Sequence, residues 1–278
     1  MTVNELKVLS YELRQNVLDM VMSGKGGHLG GDMSVMDLLV TLYFKVMNVT
    51  PENIEERDHD RFVLSKGHCV ESLYAVLAKK GFFSIEEVIR EFSKFGSKYI
   101  GHPNNKIPGI EMNSGSLGHG LSVAVGMALA GKKDNAPYRV YTVMGDGELA
   151  EGSVWEGVMA AAHYRLDNLC AVVDRNRLQI SGSTEDVMGH DDLTARFAAF
   201  NWNVIQVDGH DYGALSAAFD AAAAAKGKPT VLIANTVKGC GSPVMENKAS
   251  WHHQVPTQEE YEQIAADLAA RKEAAQHE

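Results

Sequence analysis

Two hard oxygen donors, Asp146 and Asn176, lie thirty residues apart, each just beyond an apolar run that is typical of a buried strand. The first run covers residues 140–143 and leads into the turn Gly145-Asp146-Gly147, and the second covers residues 169–173. A helical pattern separates them, so the stretch predicts one strand–helix–strand unit. The carboxyl ends of parallel strands meet at one edge of a sheet, where open α/β proteins bind ligands. We therefore expect both side chains to face a common site.

These residue types suit a metal-bridged diphosphate. A carboxylate, an amide oxygen and a backbone carbonyl, which Leu178 could supply, are ligands that Mg²⁺ shares with a phosphate. Gly145 and Gly147 allow close backbone approach, and a helix starting near Glu148 would direct its first N–H groups at an anion. The alternative is a simple loop, because Gly-Asp turns are common. The thirty-residue interval, with a strand before each donor, favours the site.

Histidines in loops are the second group of candidates. Five of the eleven histidines lie in loops, beside glycine or at the end of an apolar run: His28, His68, His102, His119 and His252. We expect the histidines outside such loops to be surface residues: His59, His163, His190, His210 and His277. No pair has HxH or HxxxH spacing, which disfavours zinc. Several neutral imidazoles around one cleft instead suit proton transfers on a polyhydroxylated substrate.

The elements that must position these groups alternate regularly. The pattern predicts helices over about 3–22, 33–47, 70–80, 84–95, 120–131, 211–225 and 257–276, together with one that starts near Glu148 and a short one that ends at Phe200. It also predicts strands at 61–65, 202–207 and 230–236 besides the two above, and a polar loop at 181–192. Strands alternating with helices from residue 138 onwards predict an α/β fold with a mostly parallel sheet and helices on both faces.

Composition excludes several classes of function. The 278 residues carry a formal charge of −10, which argues against nucleic acid or an anionic membrane as the main partner. Cys69, Cys170 and Cys240 are far apart, as in a reducing compartment. The N-terminus has the pattern of an amphipathic helix rather than a signal peptide, and the longest apolar run is too short to span a bilayer. We expect a cytoplasmic protein.

Six ordered motifs extend from residue 24 to residue 256: SGKGGHLGG, SKGH, GHP, SGSLGHG, GDG…N and WHHQVP. Their order and spacing resemble the transketolase family, most closely the stand-alone amino-terminal subunits of split transketolases. The resemblance implies the thiamine-diphosphate-binding fold, with residues 1–278 as a single diphosphate-binding domain. It also implies thiamine diphosphate and Mg²⁺, or another divalent cation such as Ca²⁺ or Mn²⁺, as cofactors.

The family's residue roles carry over by position. The metal ligands implied are Asp146, Asn176 and the carbonyl of Leu178. The cofactor-binding residues implied are Gly115, Ser116, Leu117, Gly145, Asp146, Gly147, Glu148 and Asn176, with His68 and His252 reaching the diphosphate. The catalytic residues implied are His28, His68, His102 and His252. Glu151 matches an acid at the subunit interface. Two departures are His119, where the family commonly has Gln, and His253, where it commonly has Gly.

A carboxylate that activates the cofactor is missing from these motifs. In the resembled family that glutamate belongs to a second, pyrimidine-binding domain, and this chain ends at Glu278. The partner that we expect is therefore a C-terminal transketolase subunit, in an α2β2 heterotetramer. The alternative is an inactive homodimer of this chain.

The function implied is that of the diphosphate-binding subunit of a transketolase, moving a two-carbon glycolaldehyde unit from a ketose (phosphate) donor to an aldose. The alternatives are a subunit of another thiamine-diphosphate enzyme (deoxyxylulose-phosphate-synthase-like, or a 2-oxo acid dehydrogenase E1 α subunit) and a non-catalytic regulatory subunit. The sugar itself stays open: a pentose phosphate, a sulfo-sugar or a branched sugar.

Overall fold

A parallel sheet forms the centre of the protein, whose computed structural model describes residues 1–277. Its strands are β1 (Arg61–Leu64), β2 (Val140–Gly145), β3 (Leu169–Arg175), β6 (Asn203–Asp208) and β7 (Thr230–Asn235), and β4 (Leu178–Gln179) with β5 (Gly182–Ser183) forms a separate antiparallel hairpin. The five-stranded sheet has the order β1-β2-β3-β7-β6, and every neighbouring pair is parallel. The predicted parallel α/β fold is confirmed.

The strand register brings the functional candidates to one edge. Gly145 at the end of β2 pairs with Asp174 on β3, which in turn pairs with Ala234 on β7. Just beyond this register, the backbone N–H of Asp146 donates to the carbonyl of Asp174 at 3.3 Å. The carboxyl ends of three adjacent strands therefore lie side by side, as the strand–helix–strand pattern predicts.

Ten α-helices surround the sheet in residues 1–277. They are α1 (Val3–Gly24), α2 (Leu29–Thr41), α3 (Val70–Lys80), α4 (Ile85–Glu91), α5 (Gly120–Lys133), α6 (Gly152–His163), α7 (Thr184–Met188), α8 (Leu193–Ala199), α9 (Tyr212–Ala224) and α10 (Gln258–Gln276). Within the same residues no helix combines the length and the continuous apolar character that a membrane span requires.

Both faces of the sheet are buried. On β3, Cys170 and Val172 point into one apolar core, and Ala171 and Val173 point into the other. Helices α1, α2, α3 and α9 supply the first core, and α5, α6 and α8 supply the second. Burial on both faces explains why the strands are continuously apolar rather than alternating.

Capping boxes start the two long terminal helices. Thr2 and Glu5 cap α1, and Thr257 and Glu260 cap α10 in the same reciprocal way. Helix α10 packs along α1, where the hydroxyl of Tyr261 donates to the Asp19 carboxylate at 2.8 Å.

Four predicted elements differ from the structure. The helix expected over 84–95 is α4, which already ends at Glu91. The helix expected from residue 148 begins at Gly152, because Gly147–Ala150 forms a 3₁₀ turn and Glu151 is extended. Helix α6 therefore does not start directly after residues 145–147. The polar loop at 181–192 contains β5 and the capped helix α7, since Ser183 accepts from the backbone of Asp186. The helix expected over 33–47 is α2, which starts earlier and ends in a π-turn, Leu42–Val46.

Candidate functional site

A cavity of about 430 Å³ opens at the carboxyl edge of the sheet. It is lined by His28, Lys66, His68, Gly115, Leu117, Gly145, Asp146, Gly147, Glu148, Asn176, Leu178, Gln179, Ile180, Ser181, Lys238 and His252. These residues come from the loops after β1, β2, β3 and β7, from the β4–β5 hairpin, from the approach to α2 and from the loop before α5. The volume falls within the range of small-molecule sites.

Asp146 connects the ends of β2 and β3. One carboxylate oxygen accepts from the Gly147 N–H at 2.9 Å, and the other accepts from the Arg177 N–H at 2.5 Å. Arg177 has a positive φ of 66°, which turns its N–H back toward β2. The side-chain oxygen of Asn176 accepts from the Leu178 N–H at 3.1 Å. The three predicted metal ligands thus line one cavity, and Asn176 and Leu178 lie on the same backbone turn.

This donor set fits a divalent cation. Asp146 is buried, and its burial together with the neighbouring charge of Asp174 raises the pKa of Asp146 to about 6. A cation would offset that unfavourable burial of negative charge. Each carboxylate oxygen keeps a free lone pair beside its one N–H contact. One carboxylate, one amide oxygen and one carbonyl leave room for phosphate oxygens and water in an octahedral Mg²⁺ shell.

Glu148 connects loops beneath the cavity. One of its oxygens accepts from the hydroxyl of Ser65 and from the Gly118 N–H at 2.8 Å, and the other accepts from the Gly145 N–H at 3.1 Å. Its carboxylate therefore holds the ends of β1 and β2 and the start of α5 together. Gly118 requires its glycine there, since it has a φ of 84° and an added Cβ would lie 2.6 Å from that of Glu151.

A buried ion pair lies behind the strand ends. Lys66 Nζ contacts Asp174 Oδ2 at 2.5 Å, and both side chains are almost fully buried. Burial opposes both charges, but each partner outweighs it, so the pKa of Lys66 lies above its ordinary value and the pKa of Asp174 lies below. Asp174 also accepts from the hydroxyls of Ser34 and Thr236. Ser34 in turn accepts from the Asn176 amide at 3.2 Å, so the pair supports a predicted metal ligand.

The four predicted catalytic histidines lie together. The ring centroid of His28 is 5.3 Å from that of His68, 6.1 Å from that of His102 and 5.6 Å from that of His252. His28, from the loop before α2, is therefore the centre of the cluster. His253 is also close, at 4.8 Å from His28. Residues from loops more than two hundred positions apart meet here, and their chemical roles stay predictions.

Burial keeps these imidazoles neutral. The pKa of His28 falls to about 4 through burial and then the neighbouring His253. Burial and then Lys238 lower the pKa of His252 to about 3. Burial and Lys66 lower the pKa of His68, and burial alone lowers that of His102. Neutral imidazoles offer one donor and one acceptor each, which suits holding and deprotonating hydroxyl groups.

Sequence reasoning missed Lys66 and Lys238 as site residues. Lys238 is buried, and its Nζ lies 3.2 Å from His252 Nδ1. Burial and then the charge of Lys66 lower the pKa of Lys238 to about 8. Two cations beside a pocket with buried oxygen donors create a suitable place for an anion. The sequence signal that could have identified Lys238 is its position shortly after β7, a third strand that ends at the same edge of the sheet.

Three other candidates lie outside the cavity lining. Ser116 is exposed beside Gly115 and Leu117, which line the cavity. Glu151 is also exposed, and its role at an interface stays a prediction. His119 is exposed, with its ring nitrogen 3.1 Å from the Leu117 carbonyl.

His102 borders the cavity without lining it. An added Cβ on Gly115, which does line the cavity, would lie 3.0 Å from the His102 ring. The His102 ring therefore packs against the loop that carries Gly115, at the edge of the histidine cluster.

The prediction that the remaining histidines are surface residues is wrong for His59, His190 and His210. His59 and His190 are buried, and His59 contacts the Glu111 carboxylate at 2.6 Å. His210 is partly buried, 2.6 Å from an Asp37 oxygen. His59 and His210 contact acids that are distant in sequence, so no local pattern predicts their burial.

Asp37, His210 and Cys240 lie close enough to suggest a metal site. The Asp37 carboxylate already accepts hydrogen bonds from two guanidinium nitrogens of Arg14, at 2.9 and 2.8 Å, and from the Tyr212 hydroxyl. The buried Arg14 cation would repel a metal ion, so the group is a structural network.

Comparison with known proteins now identifies the family. Residues 6–274 match the family described as "Transketolase, thiamine diphosphate binding domain". The chain belongs to this transketolase family. It is 47% identical over 273 residues to an apulose-4-phosphate transketolase subunit of Phocaeicola vulgatus, covering 98% of this chain and 97% of that relative. It is 41% identical over 243 residues to the 6-deoxy-6-sulfo-D-fructose transketolase subunit SqwG of a Clostridium species, covering 87% and 88%.

The fold agrees with this family. The transketolase of Campylobacter jejuni superposes with a TM-score of 0.92 at 28% identity, covering 99% of this chain and 46% of that one. The chain thus spans under half the length of that transketolase but nearly all of the two subunits. It is a transketolase-type transferase chain with the thiamine-diphosphate-binding domain, and both relatives are named as transketolase subunits.

Proposed function

We propose that this subunit holds thiamine diphosphate through a divalent cation, Mg²⁺ first of all, at Asp146, Asn176 and the Leu178 carbonyl. The single observation that supports this is the cavity that joins these oxygen donors to the histidine cluster. Lys238 and His68 line the same space and offer positive charge and an N–H to the diphosphate. When bound, the cofactor supplies a carbon nucleophile able to take up a two-carbon fragment.

The chain's own residues then act on the sugar. His28 and His252 move protons at the hydroxyls of the donor, because both rings are neutral and line the cavity. His68 and His102 hold hydroxyl groups by hydrogen bonds.

The proposed assembly divides the two cofactor-binding domains between two chains. We place residues 1–278 in one diphosphate-binding domain, with the pyrimidine-binding domain on a partner subunit. The complex is an α2β2 assembly in which Glu151 lies at an interface. The exposure of Glu151 in this chain is compatible with that place.

The reaction proposed is transfer of a glycolaldehyde unit from a ketose to an aldose. The donor class is a ketose with an anionic group at its far end, since the relatives are named for apulose 4-phosphate and 6-deoxy-6-sulfo-D-fructose. The free cysteines Cys69, Cys170 and Cys240 support a reducing compartment such as the cytoplasm.

Calorimetry and an activity panel test the proposal. Asp146→Ala raises the dissociation constant of Mg²⁺–thiamine diphosphate by more than about 100-fold, since even the groups behind metal ligands contribute 10–100-fold. Asp220→Ala, an exposed acid on α9, leaves it unchanged. Unchanged binding in Asp146→Ala would overturn the site.

The activity panel uses the chain together with its partner subunit. Four donors are supplied separately: apulose 4-phosphate, 6-deoxy-6-sulfo-D-fructose, xylulose 5-phosphate and pyruvate. Glycolaldehyde transfer from a ketose supports the proposal. Turnover of pyruvate alone indicates another thiamine-diphosphate enzyme, and no turnover with intact cofactor binding indicates a regulatory subunit.

A further inference from the structure

Two carboxyl groups are buried side by side behind the histidine cluster. Asp32 lies in the first turn of α2 and Glu71 in the first turn of α3, and neither residue is exposed. Lys66, Cys69 and Tyr74 are the other titratable groups that face them. Lys66 gives its short contact to Asp174 instead. Neither acid therefore has an ion-pair partner among residues 1–277, and a buried carboxylate without one is unfavourable.

The hydrogen bonds around this pair leave one donor missing. Asp32 Oδ1 accepts from the Ser72 N–H at 2.9 Å, and Glu71 Oε1 accepts from the His28 N–H at 3.2 Å. Asp32 Oδ2 and Glu71 Oε2 are buried without a donor. Asp32 accepts from the N–H of Ser72, the residue after Glu71, and Glu71 accepts from the N–H of His28, whose carbonyl accepts from the Asp32 N–H. The two carboxyl groups therefore face one small buried space. A single proton between them would turn these two oxygens into a donor and an acceptor.

Electrostatics agree with this geometry. Burial raises the pKa of Asp32 to about 7. Burial and then the like charge of Asp32 raise the pKa of Glu71 well above its usual range. Two ionised carboxylates in contact repel each other, so at neutral pH the pair keeps one proton.

One acid of the pair contacts the backbone of His28. The Glu71 carboxyl accepts from the His28 N–H, and the His28 carbonyl accepts from the backbone N–H of Asp32 at 3.1 Å in the first turn of α2. The chain is pressed against the acid at Gly27, which has a φ of 149° and where an added Cβ would lie 2.5 Å from Glu71 Oε1. The ring nitrogen Nδ1 of His28 is buried without a hydrogen-bond partner among residues 1–277, so the ring is held by packing against the other imidazoles and by the hydrogen bonds of its backbone.

We propose that Asp32 and Glu71 share one proton and together act as a positioning pair that orients His28 in the cleft. The proton holds Glu71 in the rotamer that accepts the His28 amide, and the two acids touch neither substrate nor cofactor. The positioning role rests on the proposed function, whereas the shared proton does not.

Infrared spectroscopy of the assembled protein at pH 7 tests the shared proton. A protonated carboxyl gives a carbonyl stretch that a carboxylate lacks. Asp32→Asn and Glu71→Gln each place an amide N–H where the proton was and leave the other acid ionised, so each variant loses that band. Asp220→Asn is the matched control and keeps it. If either site variant retains the band in full, one acid carries the proton alone or no proton is shared, and the proposal is overturned.

Kinetics test the positioning. Glu71→Ala lowers kcat/KM for the ketose donor by about 100-fold, as a small misplacement of a reacting group does. The dissociation constant of Mg²⁺–thiamine diphosphate stays within about twofold, because the proposed metal ligands Asp146, Asn176 and Leu178 lie on other loops. Glu71→Gln restores most of the lost activity, because its amide oxygen accepts from the His28 N–H and its amide N–H donates to Asp32. Full kcat/KM in Glu71→Ala would overturn the positioning role.

Two features keep these tests separate. The infrared result needs no truncated side chain, so it decides the shared proton even if Glu71→Ala does not fold. If the wild-type assembly transfers no two-carbon unit, the proposed function fails while the infrared result still stands.

Discussion

Replacing Lys66 by Met should destabilise the chain severely. The substitution keeps the length of the side chain and removes its charge, leaving the Asp174 carboxylate unpaired in the protein interior. Lys66 and Asp174 are 1% and 0% exposed and 2.5 Å apart. Removing one partner of such a pair costs about 3–5 kcal/mol, because the remaining charge stays desolvated.

The surroundings set the value within that range. Asp174 keeps its hydrogen bonds from the hydroxyls of Ser34 and Thr236, which partly solvate the remaining charge. We therefore expect a loss near the lower limit, about 3 kcal/mol. The double variant Lys66→Met/Asp174→Leu removes both charges and should recover much of that loss, giving a coupling energy of at least about 2 kcal/mol.

Urea unfolding followed by circular dichroism measures these differences from the midpoint and slope. Lys79→Met is the matched control, because Lys79 also contacts a carboxylate, Glu12, at 2.7 Å but is 44% exposed. The exposed pair should contribute about 0–1 kcal/mol. A loss below about 1 kcal/mol in Lys66→Met, or a double variant as unstable as the sum of the singles, would refute the reasoning.

Three further predictions concern the site. Lys238→Met removes a positive charge that helps hold the pKa of His252 at about 3, so the pKa of His252 should rise. On the acid side of the pH profile, kcat/KM measured at saturating cofactor should therefore decline at a higher pH than in the wild type. Identical acid limbs in the two proteins would contradict this. Gly118→Ala places a Cβ on a residue with a φ of 84° and should lower the free energy of unfolding by about 1–3 kcal/mol, measured by thermal or urea unfolding. The control Gly126→Ala has open space around its Cβ in α5 and should be neutral or stabilising. Equal effects of the two substitutions would count against the strained turn at Gly118. Treatment with a chelator should release the cofactor in equilibrium dialysis and Mg²⁺ should restore its binding; retention by the chelated protein would exclude the metal bridge.

The fold was predictable because its signals are local. Continuous apolar runs alternating with helical periods define a parallel sheet with two covered faces, and the strands at 140–145 and 169–175 were expected within two residues of their ends. The errors fell where polar residues carry little periodic signal. The hairpin β4–β5 and helix α7 occupy a stretch expected to be loop, since a serine cap rather than an apolar stripe starts α7.

The amino-acid sequence by itself determined which groups reach the sheet edge. Asp146 and Asn176 follow the ends of two strands, which brings their oxygen atoms to this edge of the sheet. Four loops that each carry a histidine supply the cluster around His28. Only the tertiary structure decided their electrostatic states. The proton shared by Asp32 and Glu71, the charges of Lys66 and Lys238 and the neutrality of the imidazoles depend on burial and on partners distant in the chain. The pKa of a side chain depends on its desolvation and on the charges within a few ångströms of it. Both depend on which residues meet in space, and residues adjacent in the sequence do not determine that.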